Sequence, residues 1–172
     1  AREMRQRISE RAGSVARQIR MGTFHSVFLS ILRLHASLLG YTPTFSVYNT
    51  NDSRSCIKAI VKRLGLDDKV YKPNLIHSRI SSAKNRLLTP EAYASYGELV
   101  KYDAKSGLPR IAEIYRLYWD ELRQSNAMDF DDLLLQINIL FRQHPEILKE
   151  WQERIDYLLI DEYQDTNFAQ YM

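Results

Sequence analysis

The chain has 172 residues, of which 45% are hydrophobic and 26% charged, proportions typical of one globular domain rather than a disordered or fibrous chain. Its single cysteine, Cys56, cannot form an internal disulfide, and its four histidines form no Cys/His cluster at zinc-ligand spacing, which argues against a disulfide-rich or zinc-stabilised module. No apolar run approaches the roughly 20 residues that span a bilayer, and the charged N-terminal sequence differs from a signal peptide, so we expect a cytoplasmic protein with no membrane partner.

Charge is distributed unevenly along the chain. Residues 1–40 contain seven arginines and two glutamates, and residues 41–125 contain fourteen basic and nine acidic residues. Residues 126–172 reverse the balance, with three basic and ten acidic residues. This division predicts a surface for a polyanion in the first part and a region where carboxylates meet cations or a metal in the last, although simple solvated faces would give the same counts.

The first part of the chain predicts alternating helices and extended segments. Hydrophobic periodicity predicts a helix over residues 2–11, a short strand over 18–24 and a second helix that ends near Gly40. Residues 41–48 contain a proline and two threonines, which predicts a connector with a short extended piece at 45–48.

Residues 49–126 predict an all-helical block. Its first helix carries four apolar residues on one face and is expected to be capped by Asn51 or Asp52 and to end at Gly65. Further helices are predicted over residues 73–87, from Thr89, and from Ile111 to a point near Asn126, with a turn at 105–109.

The sequence of residues 126–172 predicts helices that begin at Asp129 and Glu146. After them the helical periodicity stops. Residues 157–160 form a continuous apolar run with polar flanks, which favours a buried central strand. Asp161 and Glu162 follow directly, at the end of the strand where open α/β sheets bind ligands. An Asp there can hold Mg²⁺ and a neighbouring Glu can orient or deprotonate a water molecule, although a strand that merely ends in charged residues would have the same sequence.

The string YLLIDEYQDTN at residues 157–167 resembles the Walker B segment, or motif II, of superfamily 1 DNA helicases of the UvrD/Rep/PcrA type. Three other segments agree with that family in order and spacing, and together the four cover the whole chain. AREMRQRI at 1–8 resembles the tail of the motif Ia region, Thr23-Phe24-His25-Ser26 followed by a helix resembles motif Ib, and residues 128–133 resemble the MDFDDL element.

The resemblance implies a fold that is α/β by ancestry but mainly α-helical. It would be a partial RecA-like domain of the P-loop NTPase class with an inserted all-helical subdomain. Residues 1–40 and 127–172 would belong to the RecA-like domain, 1A, and residues 41–126 to the inserted subdomain, 1B. We expect a few strands from the two outer segments to flank the helices, with open edges that favour self-association.

By the same resemblance, the acidic motif carries the nucleotide chemistry. Asp161 would be the Mg²⁺ ligand, Glu162 the catalytic base and Gln164 a nucleotide-binding residue. The parent would be an ATP-dependent helicase that uses ATP and Mg²⁺, translocates 3′ to 5′ on single-stranded DNA and unwinds duplex in repair or replication. None of the six glycines belongs to a G-x-x-x-x-G-K-[ST] loop, so we expect the missing remainder of the helicase to supply the phosphate cradle, and this piece alone to be inactive as an ATPase.

The resemblance also assigns the DNA contacts. Motif Ib, with Thr23, Phe24, His25 and Ser26, would lie against the backbone of a single strand, and Phe130 would stack on a base. Core packing is the alternative for His25 and Phe130, and the tyrosines of the helical block, including Tyr96 and Tyr102, are expected to pack in the core. Basic residues of the block are candidates to bind duplex phosphates ahead of the single-strand/duplex junction, although a solvated position is an equal alternative for each: Lys58, Lys62, Arg63, Lys84, Arg86, Lys101 and Lys105.

Two other classes of protein stay open at this stage. A helicase subunit of a RecB- or AddA-like helicase-nuclease would share these motifs, and only the length of the full gene would separate it. A non-enzymatic DNA-binding module built from a degenerate helicase core is the second alternative. The two adjacent carboxylates of the acidic motif argue against it, since a decayed ATPase has no physical reason to keep both.

Overall fold

The computed structural model describes residues 2–17 and 19–172, with side chains from residue 6 onward except at 15 and 17. Residue 1 of the segment compared with motif Ia, and Gln18 of the expected first strand, lie outside the described residues. As predicted, the described chain is mainly helical, and it carries a small parallel sheet. No helix among the described residues has the length and apolar character needed to cross a membrane.

The helices and strands have the following bounds. The α-helices are α1 (Arg2–Ala12), α2 (Phe24–Leu34), α3 (Thr50–Arg63), α4 (Pro73–Asn85), α5 (Pro90–Ser95), α6 (Gly97–Lys105), α7 (Ile111–Gln124), α8 (Phe130–Gln143), α9 (Pro145–Glu153) and α10 (Phe168–Tyr171). The strands are β1 (Ser46–Tyr48) and β2 (Ala127–Asp129), and short 3-10 turns lie at Gly13–Arg17, Ala36–Leu39 and Tyr163–Asp165.

The two strands form a parallel pair that joins distant parts of the chain. Val47 lies opposite Met128, with Ser46 opposite Ala127 on one side. The extended piece predicted at 45–48 is therefore confirmed. Strand β2 was not predicted, because three residues between two helices are too few to show a strand period and the pairing partner lies about 80 residues away in sequence.

Two predicted strands are wrong. Residues 157–160 have no regular secondary structure and are largely exposed, and the described residues of the 18–24 segment form no strand before α2 begins at Phe24. The physical reason is the same in both places. A strand needs hydrogen-bonding neighbours and a covered face, and within the described chain the only sheet is the β1–β2 pair.

Helix starts follow the capping chemistry, with one correction. Asn49, rather than Asn51 or Asp52, caps α3: its Oδ1 accepts hydrogen bonds from the backbone N–H groups of Asn51 and Asp52 at 2.8 and 3.1 Å. The Asp52 carboxylate accepts in return from the Asn49 N–H at 3.0 Å. This reciprocal capping box starts the helix two or three residues earlier than the predicted caps do. Thr89 caps α5 as predicted, whereas α6 was not predicted.

The core consists of two hydrophobic clusters that meet at β2. One cluster joins α3, α4, α5 and α7 and includes Ile57, Ile80 and Tyr115. The other joins α2, α8 and α9 and includes Leu32 and Leu140. Because side chains alternate along a strand, the neighbouring β2 residues Ala127 and Met128 belong to different clusters. The assignment of residues 41–126 to an inserted subdomain stays a prediction.

Candidate nucleic-acid interface

The motif Ib segment forms the start of α2. Thr23 is the N-cap: its hydroxyl oxygen accepts from the Ser26 N–H at 3.3 Å, and the Ser26 hydroxyl donates to the Thr23 carbonyl at 2.8 Å. Thr23 and Ser26 are exposed, while Phe24 and His25 are half-buried, and the Phe24 ring contacts the ring of Phe28. The first turn of α2 contains no acidic residue. This end of the helix therefore presents backbone N–H groups and the Thr23 hydroxyl without a competing negative charge.

Phe130 lies beside this segment. It is the first residue of α8, which packs against α2, and 54% of its surface is exposed. The rings of His25 and Phe130 meet in an edge-on arrangement with centroids 5.4 Å apart. The structure thus brings two separately predicted DNA-contact segments onto one surface, and the exposed Phe130 ring is not core packing.

A buried charge network lies directly behind Phe130. Lys84, near the end of α4, has no exposed surface, and its ammonium group lies 2.7 Å from a carboxylate oxygen of both Asp129 and Asp132. The Tyr118 hydroxyl donates to Asp129 at 2.8 Å. Asp129 and Asp132 also form the capping box of α8, with Asp132 N–H donating to Asp129 at 2.8 Å and Asp129 N–H donating to Asp132 at 3.0 Å. The position of the first turn of α8, and hence of Phe130, is fixed from the helical block.

Proton affinities within the network follow from burial and charge. Burial alone would lower the pKa of Lys84, but the carboxylates of Asp129 and Asp132 outweigh burial and raise it. Burial, followed by the negative charge of Asp129, raises the pKa of Asp132 to about 7. Burial acts against ionisation of Asp129 as well, yet Lys84 lowers its pKa below the usual value. Lys84 therefore favours the ionised form of Asp129, whereas burial and the charge of Asp129 together favour the protonated form of Asp132.

Lys84 was predicted as a candidate to bind duplex phosphates, and that prediction is wrong. Its ammonium group is fully buried and already bound to two carboxylates, so no phosphate can reach it. Its spacing of four residues from Ile80 and eight from Ile76 places it on the buried face of α4, which is the sequence signal for its burial. Tyr96 and Tyr102 are also exposed rather than in the core. The other six basic residues are all exposed. Arg63 pairs with Glu121 at 3.2 Å, and the other five form no ion pair within the described part of the chain.

A small cavity of about 270 Å³ opens beside Phe130. Tyr48 and Asn49 line one side, His77 of α4 another, and Asp131 lies next to Phe130 at its edge. Burial lowers the pKa of His77, so its ring is held neutral at pH 7. Tyr48, Asn49 and His77 were not predicted as parts of the surface, because they come from the connector and the helical block and carry no motif.

The predicted nucleotide-site residues lie apart, on an exposed segment. Asp161, Glu162 and Gln164 are all exposed, and the Gln164 side-chain amide donates to the Glu162 carboxylate. Glu162 has a left-handed backbone with φ of +54°, a conformation that is uncommon for a residue other than glycine and is concentrated at functional sites. No described contact joins Asp161 or Glu162 to Phe130.

These residues offer only part of a metal site. Two adjacent carboxylates supply the oxygen ligands that Mg²⁺ prefers. Among the described residues, however, no three His, Cys, Asp or Glu side chains come close enough to hold a metal ion together. By themselves, Asp161 and Glu162 have the chemistry to contribute oxygen ligands or a base.

Comparison with known proteins identifies the family of the chain. Residues 1–172 match the family model described as the UvrD/REP helicase N-terminal domain. The chain is 38% identical over 172 residues to the ATP-dependent DNA helicase PcrA of Leuconostoc citreum, covering 99% of this chain and 22% of that protein. It is 39% identical over 174 aligned positions to the ATP-dependent DNA helicase UvrD1 of Mycobacterium bovis, covering 100% of this chain and 22% of that protein.

A third relative, the ATP-dependent DNA helicase PcrA of Staphylococcus aureus, is 37% identical over 171 residues, which cover 99% of this chain and 23% of that protein. The chain therefore spans about a fifth of the length of the curated relatives it matches. The match of the family model over all 172 residues shows that the chain belongs to the UvrD/REP helicase N-terminal domain family.

Proposed function

We propose that the chain is the part of an ATP-dependent DNA helicase that holds single-stranded DNA at the start of α2 and at Phe130. The observation that carries the proposal is the ring contact between His25 and Phe130, 5.4 Å between centroids, on an exposed surface made by two motif segments. The names of the relatives, all ATP-dependent DNA helicases, support the same conclusion.

The charges at the two helix starts assign different parts of the strand to each. The first turn of α2 has no acidic residue, so its N–H groups and the hydroxyl of Thr23 suit a phosphate. The first turn of α8 contains Asp131 and Asp132, which disfavour a phosphate there. An uncharged base can approach α8 and stack on Phe130, an interaction of about 1 to 3 kcal/mol that tolerates any base.

Titration of labelled DNA by fluorescence anisotropy tests this assignment. A single strand and a matched duplex are titrated at two salt concentrations with the unsubstituted chain and with Phe130→Ala. We expect salt-sensitive binding of the single strand, because phosphate contacts release counterions. Phe130→Ala should weaken it by on the order of fivefold to a hundredfold, the equivalent of one stacked base.

Tyr102→Ala is the matched control, because Tyr102 is 52% exposed, almost the same as Phe130, and lies on α6 away from both helix starts. Equal losses for the two variants would mean that any exposed ring binds DNA, and would contradict a specific role for Phe130. Absence of single-strand binding at low salt would reject this surface as a DNA site in the chain.

For the whole protein, we propose ATP-driven 3′ to 5′ translocation on single-stranded DNA and unwinding at a single-strand/duplex junction, in repair or replication. Asp161 would serve as an Mg²⁺ ligand, Glu162 as the base that activates water and Gln164 as a nucleotide contact. Support comes from the acidic motif, from the strained backbone of Glu162 and from the names of the relatives.

The chain alone is expected to release no phosphate from ATP, because its sequence contains no phosphate loop. A phosphate-release assay with Mg²⁺ and single-stranded DNA checks this expectation. A measurable rate that disappears in Glu162→Gln would overturn it.

A further inference from the structure

A line of side-chain hydrogen bonds connects the start of α8 to the end of the acidic motif. Asn85, the last residue of α4, donates through Nδ2 to the Asp131 carboxylate at 2.7 Å and to the Ser81 carbonyl at 2.9 Å. Its Oδ1 accepts from Nδ2 of Asn167 at 2.6 Å. Asp131 is the neighbour of Phe130, and Asn167 is the last residue of the string DEYQDTN.

Asn167 also determines where α10 begins. Its Oδ1 accepts from the Gln170 N–H at 3.0 Å, and its own N–H donates to the Gln170 side chain at 3.0 Å, which makes a capping box. Asn85 is half-buried and all of its side-chain polar groups are used in this line. If Asp131 moves, the Asn85 side chain cannot rotate to follow it without losing its hydrogen bonds to Ser81 and Asn167.

We infer that Asn85 is a positioning residue that couples the base-stacking end of α8 to the capped end of the acidic motif. The inference rests on the proposed function, since it takes a base on Phe130 as the event that is transmitted. A stacked base adds a contact to the Phe130 ring, next to Asp131, and this contact strengthens the Asp131–Asn85–Asn167 bonds and the capping of α10. Coupling of this kind is reciprocal, so a ligand that orders the acidic motif also increases the affinity for the single strand.

The chain offers a control that separates coupling from simple support. Asn138, inside α8, also binds α10, since its Nδ2 donates to the Ala169 carbonyl at 3.0 Å and to the Leu134 carbonyl at 2.9 Å. No described hydrogen bond joins Asn138 to Asp131. Both asparagines hold α10, but among the described side-chain hydrogen bonds only those of Asn85 connect α10 to Asp131, the neighbour of Phe130.

Hydrogen exchange of the α10 amides, measured by mass spectrometry with and without saturating oligothymidylate, tests the inference on the 172-residue chain. Saturation is verified by anisotropy on the same samples. We expect the strand to slow exchange of the α10 segment by on the order of threefold to tenfold in the unsubstituted chain, the effect of strengthening about one hydrogen bond. Asn85→Leu should remove this slowing while the strand still binds.

Asn138→Leu is expected to speed exchange of α10 in the free chain but to keep the slowing on DNA binding. If Asn85→Leu does not fold, as judged by circular dichroism, Asp131→Ala breaks the same line from its exposed end and should also remove the slowing. Asp131→Asn keeps an acceptor for Asn85 and should preserve it.

A strand that binds without changing exchange at α10, or a slowing that persists in both Asn85→Leu and Asp131→Ala, would overturn the coupling and leave the proposed DNA surface intact. A strand that does not bind at all would reject the proposed function, and the coupling with it.

Discussion

Lys84 lies between two carboxylates in the interior, with no exposed surface. Removing three charged groups from water is costly, and the cost is offset only when each charge meets its partners. Here the ammonium has two carboxylates, and Asp129 also receives the Tyr118 hydroxyl. The network therefore holds the α8 capping box against α4. Removing the charge of one member leaves another buried charge without its partner, which destabilises the chain.

Lys84→Met should destabilise the chain by about 3 to 5 kcal/mol, because two carboxylates stay buried without a cation. Urea unfolding measures the change, with the exposed Lys62→Met of α3 as control, which should stay within about 0.5 kcal/mol. The double variant Lys84→Met with Asp132→Asn should recover part of the loss. If the Lys84→Met chain is as stable as the control, then Lys84, Asp129 and Asp132 do not form the buried network described above.

Asp132 should make stability depend on pH in a defined direction. Its pKa is raised from 3.8 to about 7 by burial and then by Asp129, so the folded chain binds this proton more tightly than the unfolded chain does. Its contribution to stability is full below about pH 3.8 and is lost as the pH rises to about 7. Asp129, with a lowered pKa, titrates below this window.

Asp132→Asn removes that titration. We therefore expect the free energy of unfolding of the variant, relative to the unsubstituted chain, to increase from about pH 4 to about pH 7 and then to level off. Urea unfolding at a series of pH values in this range gives the difference directly. A difference that is constant or that decreases with pH would contradict the raised pKa of Asp132.

At the scale of single elements, the start of α3 depends on Asn49. Asn49→Ala should cost about 1 kcal/mol, because two N–H groups of the first turn lose their acceptor. Asn51, one of the two caps predicted from the sequence, is exposed and its side chain is not part of the capping box, so Asn51→Ala should change stability by less than about 0.5 kcal/mol. Thermal or urea unfolding of the two variants decides between the two caps, and a larger loss in Asn51→Ala would reverse the assignment.

Local sequence signals predict helices well and tertiary pairing poorly in this chain. The apolar faces of α3 and α7 are set by spacing within one helix, and α5 and α10 begin at caps that are visible in the sequence. The pairing of β1 with β2, the ion pair of Lys84 with Asp129 and the link from Asn85 to Asn167 depend on residues 45 to 82 positions apart. Periodicity and capping rules contain no information about such distant partners.

For the candidate site, motif resemblance identified the segments and the structure supplied their relation. Thr23–Ser26 and Phe130 could be selected because their strings match a family, but nothing in the strings indicates that His25 and Phe130 touch. The strand at 157–160 fails for the opposite reason: its composition suits a central strand, yet no described neighbour pairs with it.

At the scale of the whole molecule, the two clusters leave one strongly apolar segment uncovered. Tyr157, Leu158 and Leu159 are all exposed, and Leu159 has 93% of its surface open to solvent. They lie in a segment without regular secondary structure, so their backbone groups form no strand ladder either. An apolar, β-prone segment with free backbone groups is suited to pair with another copy of itself.

We expect the chain to self-associate as its concentration increases, and Leu159→Lys to suppress that association. The substitution removes no buried contact, so the free energy of unfolding should change by less than about 0.5 kcal/mol. The added charges would repel each other when two such segments align. Sedimentation velocity over a range of concentrations measures the association.

The matched control is Leu34→Lys, an exposed leucine at the end of α2, which should associate as the unsubstituted chain does. If all three chains associate equally, the contact lies on another surface. If the unsubstituted chain stays monomeric at every concentration, exposure of residues 157–159 is not enough to drive pairing.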